Sequence, residues 1–477
     1  MSEFHSDVII IGAGAAGMAA ARALSEHNLD IRVLEARDRI GGRIHTERPE
    51  HLHFPIELGA EYVHGCPPDL WNIVNEAGIR LNDTCVNHWA SQDGALVMQT
   101  DYYSQLEAFF ERLCARAENG EDQSLQSFID ELLESEPDMA DASAASLRFV
   151  QNYLAADPTK IGIKFLAQGE NAAQSIGTEA LQVIDGYDNI VRFLLKSCSA
   201  LPQQLHLNTA VKSIKWQPGR VEVSTTCDGT SQTFTADRAI ITLPLGVLKR
   251  TNKTTAEATA EETTGTTIIT ASESSTETEE GAVVFEPPLS SKHKAIENIQ
   301  VGDVRRIVVI FKERFWEEFQ LEEDEGFCEF GFITCQEAPI SHWWSQYPVR
   351  SPILVGWVPR EAASQLPHSP ERLRNLVVRS LSIIFGFSER ELGQLVQEIF
   401  QHDWSADPYA RGAYSYRTPG GNGLAEELAQ ALEETLFFAG EATESTGFSG
   451  TVHGAIKTGL RAAQEVFATI CEAQAAR

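Results

Sequence analysis

The sequence predicts an α/β fold of two interleaved domains. Three observations predict it. The chain has 477 residues, more than one ordinary core accommodates. Residues 6–35 have the pattern strand, glycine turn, helix, strand, which is a βαβ unit. A further strand and helix, residues 436–439 and 450–468, close the chain.

The opening segment is SDVIIIGAGAAG. Residues 8–11 are a continuous β-branched run, fit for a strand buried on both faces. Gly12, Gly14 and Gly17 follow at G-x-G-x-x-G spacing, an Ala-rich helix is expected over residues 18–26, and a second strand over 30–34 ends in Glu35. The glycine pattern gains its meaning from this strand–helix context. Gly12 makes the tight turn, Gly14 lets backbone approach a pyrophosphate, and Gly17 lets the helix pack on the sheet. The helix N-terminus offers N–H groups and a positive dipole to phosphates. Glu35 is placed to accept from an adenosine ribose and, as a carboxylate, disfavours a 2′-phosphate, so FAD or NAD is preferred to NADP. The first domain is therefore Rossmann-like.

Along the middle of the chain, helices are expected at 102–119 and 125–133, and another after a glycine turn within 185–195. Short antiparallel strands are expected at 211–216, 220–225 and 234–241, and another strand at 306–311 before Phe315 and Trp316. Residues 370–385 and 388–400 have helical patterns. Residues 251–281 are mostly Thr, Glu, Ser and Ala. Such a stretch has too little apolar surface to offset its ordering entropy and is expected to be a disordered or loosely hairpinned surface insertion.

The formal net charge is −30, which opposes nucleic-acid binding and suits a cationic ligand. The longest apolar runs fall short of the roughly 18 residues of a membrane span, and the N-terminus is short and polar, unlike a signal peptide. The eight cysteines are scattered, with no C-x-x-C pair and no zinc-finger spacing. No metal site is expected, and a reducing, cytoplasmic setting is.

Directly after Glu35 comes ARDRIGGRIHT, with Arg39, Gly41, Gly42 and Arg43. This tract resembles the double-glycine segment of the FAD-dependent amine oxidase superfamily, which includes monoamine, polyamine and L-amino-acid oxidases and flavin-dependent histone demethylases. Further segments are similar to the family's: ELGAEYVHG (57–65), LPLGVL (243–248, a strand and turn), HDWSADPYARGAYSYRTPG (402–420) and FFAGEATESTGFSGTVHGAIKTGLRAA (437–463). The resemblance implies a Rossmann-like FAD-binding domain of the glutathione-reductase type, over residues 1–88, 185–250 and 399–477. A substrate domain of mixed sheet and helices is implied over 89–184 and 283–398, with 251–282 as the insertion.

The resemblance also implies site residues. Cofactor contacts are expected from Gly12, Gly14, Ala15, Gly17, Glu35, Ala36, Arg37, Gly42, Arg43, Gly59, Ala60, Glu61, Val211, Trp404, Gly440, Glu441, Thr451 and Val452, with Glu441 on the ribityl chain. Ala413 occupies the position where monoamine oxidases carry the flavin-linking cysteine, so FAD is expected to be non-covalent. Tyr414 and Phe448 match the two aromatic positions flanking the substrate amine, His64 a histidine near that amine, and Trp404 a tryptophan beside the flavin. Arg306 stands where the family usually has a lysine. Lysine can lose its proton when buried and arginine effectively cannot, which leaves the oxygen reactivity open. Glu61 and Glu179 are candidates for an acidic entrance. The implied activity is oxidation of a polyamine (spermine, spermidine or acetylated forms) by hydride transfer to flavin N5, with O2 reduced to H2O2. An L-amino-acid oxidase and an FAD-bound scaffold of low turnover remain alternatives.

Overall fold

The computed structural model describes residues 4–84, 87–92, 95–251, 279–318, 331–359, 362–363, 365–367 and 369–475. The Thr/Glu-rich stretch lies almost entirely outside these residues.

The chain opens with the strand Phe4–Ile11, whose Val8, Ile9 and Ile10 are fully buried. It pairs in parallel with Ile31–Leu34 on one side and Thr230–Ile241 on the other. The complete sheet has eight strands, running Leu205–His206, Ile31–Leu34, Phe4–Ile11, Thr230–Ile241, Arg220–Cys227, Thr209–Gln217 and Val284–Glu286, with Leu436–Phe438 also on Thr230–Ile241. Both ends and the middle of the chain thus share one sheet. The helix Ala15–Ser25 packs against the closing helix Val452–Ala475. Alanines permit that approach, and Gly459 is the point of contact, since a Cβ there would lie 2.1 Å from the Ala16 carbonyl oxygen.

A second, mixed sheet has seven strands, in the order Val396–Asp403, Val304–Phe311, Ile353–Pro359, His342–Ser345, Phe332–Thr334, His88–Gln92 and Ala95–Met98. The helix Pro370–Phe385 covers one face of it through Leu373, Val377, Leu381 and Ile384. Four helices, Tyr102–Asn119, Leu125–Ser135, Ala140–Tyr153 and Ile163–Ile176, enclose their own core around Phe109, Leu113 and Phe128. A three-stranded antiparallel sheet is made by Tyr62–His64, Ala180–Val183 and Leu81–Asp83. No helix among the described residues is long and apolar enough to cross a membrane.

The structure corrects three local expectations. Residues 388–400 are not one helix: Glu389–Leu395 is helical, opened by a Ser388–Glu391 capping box, and Val396–Asp403 is a strand antiparallel to Val304–Phe311. The β-branched and aromatic V-x-x-I-F stretch is better satisfied by a sheet edge than by extending the helix. Residues 243–248 turn directly into a helix beginning at residue 245. The segment after residue 283 contributes Val284–Glu286 to the first sheet, and Phe285, Leu289, Ala295 and Ile296 join that sheet's core; these residues belong with the nucleotide-binding side by packing.

Candidate active site

The first strand ends in Gly12, with φ +101°, and a Cβ on Gly17 would lie 1.9 Å from the Gly12 carbonyl oxygen. Backbone meets backbone at that point, so no side chain fits. Gly14 caps the helix with no side-chain hydrogen bond, which presents the positive end of Ala15–Ser25 to an anion. The second glycine loop closes on the first: Gly14 bridges to Gly41, and the Gly41 N–H donates to the Ala13 carbonyl at 2.8 Å. Gly42 follows with φ +59°.

Glu35 is 4% exposed and accepts from the N–H groups of Ala13 (2.8 Å) and Arg37 (3.0 Å), one on each oxygen. Each oxygen keeps a lone pair for a ribose hydroxyl. The loop 35–37, which includes Ala36, is held by the Asn208 N–H to the Arg37 carbonyl and the Thr209 N–H to the Glu35 carbonyl, both 2.8 Å. Val211 lies farther along that strand, where its pairing with Arg220–Cys227 shifts register. Arg37 is fixed from the far end of the chain, by both carboxylate oxygens of Asp407 at 2.7 and 2.8 Å. Burial opposes the Asp407 charge, yet hydrogen bonds from His402, Arg37 and the Tyr409 N–H outweigh it and hold the carboxyl well below its ordinary range. Asp407 was visible in the sequence as a motif position, but nothing there named Arg37 as its partner.

Arg43 reaches Glu441 Oε1 at 2.9 Å and also donates to the Ala413 carbonyl. Glu441 further accepts from Ser415 N–H (3.2 Å), Ser415 Oγ (2.6 Å) and Gly450 N–H (3.1 Å). Through Oε2 it ties the segments carrying Tyr414 and Phe448 together, while Oε1 takes the Arg43 guanidinium. Gly440, just before it, has φ +127°. Thr451 Oγ1 accepts from the Gly454 N–H at 3.0 Å, capping the helix that starts at Val452.

The segment 57–61 crosses between these parts. Trp404 Nε1 donates to the Leu58 carbonyl at 3.0 Å, Arg306 Nη1 to the Gly59 carbonyl at 3.4 Å, and the Ala60 N–H to the Arg43 carbonyl at 3.2 Å. Arg306 and Glu61 form a buried ion pair, Nη2 to Oε2 2.7 Å, with the guanidinium over the Trp344 ring. Trp344 Nε1 (3.2 Å), Gln182 Nε2 (3.1 Å) and Gln346 Nε2 (2.8 Å) also donate to Glu61. Burial removes Glu61 from any entrance role; Glu179 is exposed. Arg306 Nε has no hydrogen-bond partner among the described residues. Glu57, not singled out by sequence, lies beside this pair: burial pushes its carboxyl up to about 7 against donation from the Tyr187 N–H and Thr46 Oγ1 and the pull of Arg306.

On the substrate side, the Tyr414 hydroxyl donates to the Tyr153 carbonyl at 2.7 Å, and burial pushes its phenol well up. The Phe448 ring meets His453 edge-on at 5.0 Å, with Lys457 Nζ 5.3 Å from its centre. Burial pushes His64 down to about 4. Burial, His64 and Lys457 push His453 down to about 3. Both imidazoles are therefore neutral at neutral pH and do not repel an amine.

Residues 15–467 match the family described as flavin containing amine oxidoreductase. The chain belongs to that family. It is 28% identical to polyamine oxidase 2 of Arabidopsis thaliana across 96% of this chain and 87% of that protein. It is 27% identical to human lysine-specific histone demethylase 2, across 98% of this chain but 54% of the other. Among solved structures, a putrescine oxidase bound to putrescine superposes with a TM-score of 0.75 at 19% identity, covering 98% of this chain and 100% of that one, which establishes the fold.

As a member of this amine oxidase family the chain is an FAD-dependent enzyme that holds its cofactor without a covalent link. The residues present fit that cofactor. The Gly12–Gly17 and Gly41–Gly42 loops form a cradle beside a helix N-terminus, Glu35 has acceptor capacity left, and the buried Arg306 Nε is a donor in need of an acceptor. FAD, when bound, accepts a hydride from the carbon next to nitrogen and passes the electrons to O2.

Proposed function

We propose that the amine is a polyamine, meaning spermine, spermidine or an acetylated form, cleaved at a C–N bond to an aldehyde and a shorter amine. The observation that carries this reading is the likeness to polyamine oxidases, which runs through the substrate side as well as the nucleotide side, over 96% of the chain. The residues have separable tasks. Tyr414 and Phe448 flank the reacting amine. His64, neutral because it is buried, offers a lone pair or an N–H to it without adding charge. Trp404 braces the 57–61 segment through Leu58. The amine must arrive as its free base, since an ammonium has no lone pair to support the developing iminium.

Arg306 bears on the alternatives. An L-amino-acid oxidase would use a cationic side chain against the substrate carboxylate, but Glu61 already neutralises Arg306. The deciding experiment is anaerobic mixing of the holoprotein with spermine while the flavin band is followed. Bleaching, reversed on admitting air, is expected; a fully loaded flavin that spermine leaves unbleached rejects the polyamine substrate. Slow recovery in air after bleaching would point to poor oxygen reactivity with arginine at position 306.

A further inference from the structure

Tyr153 ends the helix Ala140–Tyr153 and is 44% exposed. It is not on an outer surface. Its ring stacks on Phe149 (5.0 Å between centroids, 12° between planes), and His64 meets it edge-on at 5.2 Å. Its carbonyl receives the Tyr414 hydroxyl. Burial pushes its phenol well up. A side chain both enclosed and accessible lines interior space, here the space shared with His64 and Tyr414. The Tyr153, Phe149 and His64 side chains carry no charge at neutral pH, whereas Lys457 lies over the Phe448 ring. Burial accounts for the shifts of both His64 and Tyr153, and the nearby carboxylate Glu61 is held by Arg306 and three neutral donors.

We propose that Tyr153 is a specificity-determining residue: with Phe149 and His64 it forms an uncharged aromatic wall that selects amines in which an arm next to the reacting nitrogen carries no charge. The inference rests on the amine reading of this same site and narrows its substrate class. An aromatic face attracts an ammonium, but by less than it costs to strip an ion of water without a counter-charge. A methylene arm loses no hydration of that kind and gains by burial against Tyr153 and Phe149.

The test uses the holoenzyme and two probes of one shape. Spermidine has an aminopropyl arm; N-butyl-1,4-diaminobutane replaces that arm's terminal ammonium with methyl. Anaerobic flavin bleaching gives a half-saturation concentration and a limiting rate for each. The wild type is expected to half-saturate at roughly tenfold lower N-butyl-1,4-diaminobutane than spermidine, a difference of the size set by an unpaired buried charge. Tyr153→Glu, which places a carboxylate on the wall, is expected to swing that ratio by at least about tenfold toward spermidine; Tyr153→Phe keeps it. Retained flavin absorbance in each variant establishes folding, and Tyr153→Phe guards against failure of the glutamate variant to fold. Equal half-saturation of the wild type by both probes, or its preference for spermidine, overturns the inference while leaving the polyamine reading intact. So does a Tyr153→Glu ratio equal to the wild type's. Failure of both probes to bleach the flavin rejects the polyamine reading and the inference with it.

Discussion

The two sides of this molecule are built on different principles. On the nucleotide side, function is carried by backbone: glycines packed against carbonyls, N–H groups at a helix end, and Glu35 fixed by Ala13 and Arg37 N–H groups. On the proposed substrate side, the arrangement is made by side chains brought together from distant positions, such as His64, Tyr153, Arg306 and Tyr414. The first kind of site tolerates little change in residue size and little depends on pH. The second tolerates shape changes but is sensitive to charge. Perturbing each side in turn sharpens that contrast.

The largest effect is expected from Gly17→Ala. Its new methyl would have to occupy the position of the Gly12 carbonyl oxygen, 1.9 Å away, so strand and helix must separate. The variant should lose flavin on purification and unfold more readily by several kcal/mol, of the order seen for severe overpacking. The ratio of flavin to protein absorbance and a urea titration measure both. A Gly17→Ala protein that keeps wild-type flavin content would show that the first turn has slack, and the contrast would fail.

The next effect is on charge. Arg306→Met leaves Glu61 buried without its cation and should destabilise the fold by about 3–5 kcal/mol in urea unfolding. Adding Glu61→Gln should recover most of that loss, because the glutamine keeps partners in Trp344, Gln182 and Gln346 while losing the charge. A double variant no more stable than Arg306→Met would mean that packing of the guanidinium on Trp344 matters more than the pair.

This contrast also explains what the sequence could disclose. The strand–glycine–helix unit, the carboxylate of Glu35 at the end of the second strand and the closing helix were legible because backbone constraints are local and leave fixed spacing. The helices 102–119 and 370–385 were legible because burial imposes a period of 3.6 residues. The strand Val396–Asp403 was missed because it continues a helical pattern and acquires strand character from pairing with Val304–Phe311. Arg37–Asp407 joins residues 370 positions apart, and no local signal encodes such a partner. Glu57 and Tyr153 were missed for the same reason: one is notable through burial beside Glu61 and Arg306, the other through an accessible face inside the molecule.

Glu57 gives a pH test of the substrate side. Its folded-state pKa is raised to about 7, so the folded state binds a proton more tightly than the unfolded chain does. Its stabilising contribution is present in full below the unfolded value of about 4.3, and is lost as pH rises through about 7. Glu57→Gln keeps a neutral side chain at every pH. Relative to the wild type it should gain stability between about pH 4 and 7, reaching about 3–4 kcal/mol at pH 8. Urea unfolding of both proteins at pH 5 and 8 measures the gain; parallel pH dependence in the two would assign the titration to other groups.

The smallest effect returns to backbone. Thr451 Oγ1 accepts from the Gly454 N–H and so closes the first turn of the helix Val452–Ala475. Thr451→Ala removes that bond and should destabilise the protein by about 1 kcal/mol, the usual worth of such a cap. Thr451→Ser keeps the hydroxyl and should lie within a few tenths of the wild type. Because the cap is a neutral hydrogen bond, the difference should be the same at pH 5 and pH 8, where the Glu57→Gln difference is not. That paired measurement separates the two sides most cleanly: a cap whose worth changed with pH would mean that ionising groups near His453 and Lys457 reach into the nucleotide side, and the division into a backbone-built half and a charge-built half would have to be redrawn at this helix.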